Sequence, residues 1–396
     1  MQADVLILGA DGGLQEELRA AAEFRGEVRP RLRFVADEHG LQAEVRSRPP
    51  GLVLVPLSLG VREVLRLSRE LGAVVPAIPV VAVFRPGELM DGASESGVLI
   101  EAMRGGVRDF LRRPVSSAEL RQLLSGSDTA GVVGGAAGVS ASAAGRVMCF
   151  ISNKGGVGKS TLALNTAVSL SLRHPGRVLL IDASLQMGVA ASLLNLQPER
   201  TLADVAGARE RLDLTLLRQM AIEHSSGLHL LAAPVDAVAA MDVDDTLISR
   251  LILLARRAYD YVIVDTFPLF DRVVIAVLDL SDLVLVVMEN VVPTLIGGAA
   301  LLRVLEQIGV PPERQRLILN RQQDISGNLT IEDIAVRLNR EVDYVFPWEK
   351  RLITAANLGE PAALRSPLFS GFAKTLQKLT ADLESLSSES ASGEQG

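Results

Sequence analysis

The sequence predicts an α/β protein carrying two doubly wound parallel-sheet domains in one chain. Short apolar runs alternate with stretches of helical periodicity along almost all of its 396 residues, the pattern that strand–helix–strand units leave. That pattern is broken once, by a run of small, nearly uncharged residues at 125–145 that reads as a flexible linker. The length itself exceeds that of one ordinary domain.

The first domain, 1–124, shows five strands: "DVLILGA" (4–10), "LRFVA" (32–36), "LVLVPL" (52–57), "PVVAVF" (79–84) and "RDFLRRP" (108–114). Between them, segments such as "LQEELRAAAEF" and "VREVLRLSREL" are rich in helix formers. The second domain, 146–380, opens on "RVMCFIS" and continues through "RVLLIDA", "LHLLAAP", "YDYVIVDT", "DLVLVVME", "RLILNR" and "VDYVFP". The acidic, polar tail at 381–396 is expected to be disordered.

Composition excludes several classes. Hydrophobic residues make up 48% and mean hydropathy is +0.29, enough for large cores without covalent staples. Cys149 is the single cysteine, so an internal disulfide framework and an all-cysteine metal or iron–sulfur site are ruled out. The N-terminus lacks the charged leader and cleavage site of a signal peptide, and no apolar run reaches the length of a spanning helix. A cytoplasmic chain without direct membrane insertion is expected, with polar placement or recruitment to the inner membrane only through partners. At a net charge of −7 there is no global basic footprint, and no specific nucleic-acid partner is expected.

The chemistry concentrates in "NKGGVGKST", 153–161, between a strand and a helix. Its glycines free backbone amides to face an anion, and the helix N-terminus adds a positive dipole. Such a loop brings a lysine, Lys159, to the β- and γ-phosphates and a hydroxyl, Ser160, to Mg²⁺. Asn153 stands where the common pattern has its first glycine. Two apolar strands end in aspartate, where ligands bind in open α/β sheets. Asp265, closing "YVIVD", suits a second carboxylate near Mg²⁺ rather than a helix cap. For Asp182, closing "VLLID", a functional role and a capping role both stay open.

Residues 146–380 resemble the MinD/ParA superfamily of deviant-Walker ATPases through "KGGVGKST", "VLLIDASLQMG", "YDYVIVDTFP", "LILNR" and "FPWEKRLITAANLGEPA". Within it, 185–205, 270–295 and 319–334 look most like the CpaE/TadZ proteins of tight-adherence (Flp-type) pilus assembly. The resemblance implies ATP and Mg²⁺ as ligands and a homodimer that closes on ATP. It makes Lys154 the signature lysine that crosses to the facing subunit's phosphates, and Lys154 with Asp182 the candidate catalytic residues. Gly155, Gly156, Val157, Gly158, Lys159, Ser160 and Thr161 become the phosphate loop, Ser160 and Asp265 the metal residues, and Asn320, Arg321 and Pro347 the surroundings of the adenine. Lysine is rare here: outside Lys154 and Lys159 only Lys350, Lys374 and Lys378 occur. The family's second aspartate in a D-x-D pattern is replaced by Ser184, which supplies no carboxylate, so slow or absent hydrolysis is expected.

Residues 1–124 resemble a response-regulator receiver, with "GGVRDFLRRPVSSAEL" matching its end and Arg113 in place of the usual lysine. Gly9 and Ala10 stand where the acidic pair is expected, Pro56 at the acceptor position and Phe84 at the sensor position. A degenerate module that docks or dimerises, without phosphorylation, is expected. The four histidines have no ligand spacing and read as surface or satisfied residues. Trp348 either stacks near a nucleotide or is partly buried. Phe372, Leu376, Leu379, Leu383 and Leu386 form a helical stripe for core packing or partner docking.

Two functions compete. One is an ATP-binding organiser of a pilus secretion machine, partnered by itself and by a pilus motor ATPase or inner-membrane platform protein. The alternative is a chromosome or plasmid partition ATPase that binds DNA non-specifically.

Overall fold

The computed structural model describes residues 4–23, 30–75, 78–85, 98, 102, 107–125, 145–323 and 325–392. Two compact units are present: Met1–Ala143 with Asp213–Thr215, and Ala144–Leu212 with Leu216–Gly396. Of the linker expected at 125–145, residues 126–144 lie outside the described residues.

The first unit is a five-stranded sheet in the order β2-β1-β3-β4-β5, every pairing parallel. Its strands are β1 (Asp4–Leu8), β2 (Arg31–Val35), β3 (Leu52–Pro56), β4 (Val80–Phe84) and β5 (Asp109–Arg112). Strands β1, β3 and β4 are apolar on both faces because helices cover both, as parallel sheets require. On one face Val5, Ile7, Leu54, Val83 and Leu111 pack with Leu14, Leu18 and Leu120. Asp11 caps the helix Gly12–Ala21 through the Leu14 amide at 2.6 Å. The same carboxylate takes the buried Arg113 guanidinium at 2.7 Å, and Arg113 also reaches Glu17 at 2.9 Å. Arg113, and then the Leu14 amide, hold the Asp11 carboxyl down to about 2. Pro56 closes β3, and Phe84 closes β4 with its ring edge-to-face on Phe110.

The second unit is an eight-stranded sheet in the order β13-β12-β11-β6-β10-β7-β9-β8. Its strands are β6 (Arg146–Ile151), β7 (Val178–Ala183), β8 (Ile222–Glu223), β9 (Leu228–Leu231), β10 (Tyr261–Thr266), β11 (Leu283–Glu289), β12 (Gln315–Gln322) and β13 (Tyr344–Pro347). All pairings are parallel except β8 with β9 at the edge, a two-residue strand too short to leave a sequence signal. The helix Lys159–Ser171 is buried on nearly every face. Its Leu164 and Val168 share one core with Phe150, Leu180 and Ile263 from the sheet.

Helix Ser370–Ser392 corrects the sequence reading. Residues 381–392, expected to be a disordered tail, continue this helix, while 393–396 lie outside the described residues. The apolar stripe carries on past 380. Phe372, Leu376, Leu379 and Leu383 are in the core and Leu386 packs against it. Two of the acidic residues that suggested disorder, Asp382 and Glu384, are paired to the sheet domain. Asp382 accepts the Tyr344 hydroxyl at 2.9 Å, and Glu384 meets Arg173 and His174, each at 2.8 Å. His224 bonds Ser226 and His229 bonds the Tyr259 hydroxyl. Among the described residues no helix is long and apolar enough to cross a membrane.

Parallel pairing places the carboxyl ends of β6, β7, β10 and β11 on one edge of the sheet. The residues of chemical interest gather along that edge.

Candidate functional site

The turn from β6 into the helix Lys159–Ser171 is shaped by glycine where no other residue serves. Gly156 and Gly158 have φ of +85° and +87°, the left-handed region. A Cβ on Gly158 would also lie 2.3 Å from the Asn320 side-chain nitrogen. Around the positions a Cβ would take on Gly155 and Gly156 there is open space. The loop is held from the next strands. Asn320 donates to the Val157 carbonyl at 2.7 Å and Arg321 to the Gly156 carbonyl at 2.8 Å. Asn153, the departure from the common glycine, donates to the Thr294 carbonyl at 3.2 Å, and Gly297 leaves room for it.

The carboxylates stand behind the loop. Asp265 on β10 and Asp182 on β7 are register partners. Lys159 is buried with its ammonium 2.6 Å from Asp265 Oδ1 and also donates to the Thr266 carbonyl. Asp265 Oδ2 is buried without a hydrogen-bond partner, and the helix that follows is capped by Asp271 instead. Asp265 therefore is not a cap. Asp182 accepts the Ser184 amide at 3.2 Å and the Ala190 amide at 3.0 Å, the latter being the first residue of a short helix. Burial first, then the neighbouring Asp265 charge, push its carboxyl up to about 7. Gly188 makes the fit possible, since a Cβ there would sit 2.6 Å from Asp182 Oδ2. Ser184 is buried beside this pair.

A cleft of about 280 Å³ opens from Gly158 and Thr161 past Asn320, Arg321 and Pro347 to Trp348. The three residues expected around an adenine thus share one cavity with the loop. Trp348 is 42% exposed, with the Arg321 guanidinium 5.8 Å from its ring centroid. Cys149 is buried on β6 and burial pushes its thiol up to about 12, an inert packing residue.

The two lysines of the loop are in opposite situations. Lys159 is 7% exposed and Lys154 is 44% exposed, with the Glu289 carboxylate 3.8 Å from its ammonium. Sequence reasoning passed over Glu289. The signal was there: it ends an apolar strand in a carboxylate, as Asp182 and Asp265 do. Gly188 left no such signal, because its role depends on the return of the chain to β7.

Residues 145–317 match the AAA domain family. The septum site-determining protein MinD of Thermotoga maritima is 26% identical over 226 residues, 56% of this chain and 82% of that protein. The chromosome partitioning protein ParA of Myxococcus xanthus is 28% identical over 234 residues, 56% of this chain and 81% of that protein. Among solved structures, a ParA family ATPase from Chlorobium tepidum TLS superposes with a TM-score of 0.56 at 30% identity, over 60% of this chain and 98% of that one.

Proposed function

Through its second unit the chain belongs to the MinD/ParA superfamily of P-loop ATPases, and on that premise we propose that it is an ATP-binding switch that organises a tight-adherence pilus machine. The observation that carries the switch is the contrast within one loop: Lys159 buried against Asp265, Lys154 exposed on the outer side. Lys159 turns its charge to phosphates in its own cleft. Lys154 lies outside the charge balance of the buried pair and serves a facing subunit. Gly155 to Thr161 line the phosphates with amides, and Asn320, Arg321 and Pro347 flank the base in the 280 Å³ cleft. Ser160 and the unpartnered Asp265 Oδ2 fit a hydrated Mg²⁺. Bound there, Mg²⁺ would supply positive charge to the β- and γ-phosphates.

Ser184 beside Asp182 offers no second carboxylate to place an attacking water, so turnover is slow and a closed dimer lives long. The pilus assignment rests on the resemblance of 185–205, 270–295 and 319–334 and on the receiver-like first unit. There Arg113 fills the position beside Asp11 and no carboxylate closes β3, so that unit serves docking or dimerisation.

A second reading is favoured by the ParA relatives: a partition ATPase. A net charge of −7 weighs against a broad DNA-binding face. Affinity capture with tagged protein and ATP tests the choice. Recovery of a pilus motor ATPase or inner-membrane platform protein supports the first reading, and a salt-sensitive, ATP-dependent shift of duplex DNA without such partners overturns it.

A further inference from the structure

Glu289 is the last residue of β11, its side chain 18% exposed. One carboxylate oxygen takes the Arg321 guanidinium at 2.9 Å, and the other faces the Lys154 ammonium at 3.8 Å. Arg321 in turn donates to the Gly156 carbonyl at 2.8 Å, from a backbone with φ of +55°. Glu289 is the register partner of Asn320, which holds the Val157 carbonyl. Next to it, the Asn290 amide is fixed on Gln322 and on the Leu329 carbonyl, at 3.2 and 2.8 Å. One anchored carboxylate thus joins two cations and, through one of them, the phosphate loop.

We propose that Glu289 is a positioning residue that holds Lys154 on its own protomer and so sets the protein concentration at which the ATP-bound chain dimerises. This rests on the reading of Lys154 as the cross-subunit lysine. For Lys154 to reach a facing phosphate, it must leave Glu289, and that phosphate must approach a carboxylate of its own sign. Both effects oppose closure. Arg321 keeps Glu289 oriented and neutralises part of its charge, so the latch is weak enough to open. An exposed ion pair of this kind is worth a factor of roughly two to three, and a symmetric dimer contains two of them, so together they shift the dimerisation midpoint about four- to ninefold.

The test compares Glu289→Gln and Glu289→Asp with the unchanged protein. Light scattering across a concentration series with Mg²⁺ and ATP gives the dimerisation midpoint. Calorimetry gives ATP affinity, and thermal melting checks the fold. The Gln variant keeps the side-chain volume and an acceptor for Arg321 but removes the charge. Its midpoint should fall roughly four- to ninefold at low salt, with the advantage shrinking as salt rises, because screening weakens the pair it lost. The Asp variant keeps the charge and should stay within about twofold of the unchanged protein. A Gln midpoint equal to or above that of the unchanged protein, an advantage insensitive to salt, or an Asp variant that behaves like Gln would overturn the latch alone. No ATP-driven dimer in any of the three proteins would overturn both the latch and the reading beneath it.

Discussion

Lys159 and Asp265 form a buried ion pair, 2.6 Å from ammonium to Oδ1, with side chains 7% and 2% exposed. The pair places a cation under the glycine loop and leaves the other carboxylate oxygen, Oδ2, unpartnered. Removing one member of such a pair leaves a buried charge uncompensated.

Lys159→Ala should therefore act twice. ATP affinity should fall by roughly tenfold or more, the scale of a lost charge-assisted contact. Stability should fall by about 3–5 kcal/mol, and much of that loss should return in Lys159→Ala with Asp265→Asn. Calorimetry and urea unfolding measure the two effects. Unchanged ATP binding would count against the loop as the phosphate site.

Ser184→Asp should raise the ATPase rate, because it restores the second carboxylate of the pattern. It should also cost stability, since a third carboxylate would join Asp182 and Asp265 in a buried space. Phosphate release and a melting curve read both. A wild-type rate equal to that of active relatives, or a slower variant, would refute the account of Ser184.

The pH dependence of folding should carry the mark of Asp182. Its carboxyl is raised from 3.8 to about 7, by burial first and then by the charge of Asp265. A raised acid holds its proton in the native state after the unfolded chain has lost it. Its contribution to stability therefore declines as pH rises from about 4 to about 7. Asp182→Asn leaves one amide without its acceptor and so lowers stability at acid pH, but it removes the slope. Urea unfolding from pH 4 to 8 should show the difference between variant and unchanged protein moving in the variant's favour across that window. A constant difference would show that Asp182 is ionised throughout.

Acetyl phosphate with Mg²⁺ should leave the first unit unmodified by mass spectrometry, since Asp11 is engaged by Arg113 and Pro56 closes β3. An acyl-phosphate on Asp11 would refute this. The Asp11 carboxyl is lowered to about 2, so the stability it adds is present above its ordinary 3.8 and fades as pH falls toward 2. Asp11→Asn should flatten that acid loss in the first unit.

Much of this was readable in the residues. The strands of both units follow apolar runs, and the carboxyl-edge aspartates follow from charges that end such runs. Features set by tertiary return were not readable. The edge strand β8 spans two residues, and Gly188 matters only because its backbone closes over Asp182. The acidic stretch after 380 looked solvated because its partners, Tyr344, Arg173 and His174, lie far away in sequence. Glu289 was overlooked although it carried the same mark as Asp182 and Asp265. Its meaning appears only when β12 brings Arg321 alongside.

The central claim is that Lys154 serves a facing subunit while Lys159 serves its own. Light scattering of the Lys154→Ala protein with Mg²⁺, with and without ATP, tests it most directly. The unchanged protein should double in mass on adding ATP, by mass action on a dimer that contains the nucleotide. The variant should keep most of its monomer ATP affinity by calorimetry and remain monomeric. An ATP-driven doubling that persists in the variant would contradict the account.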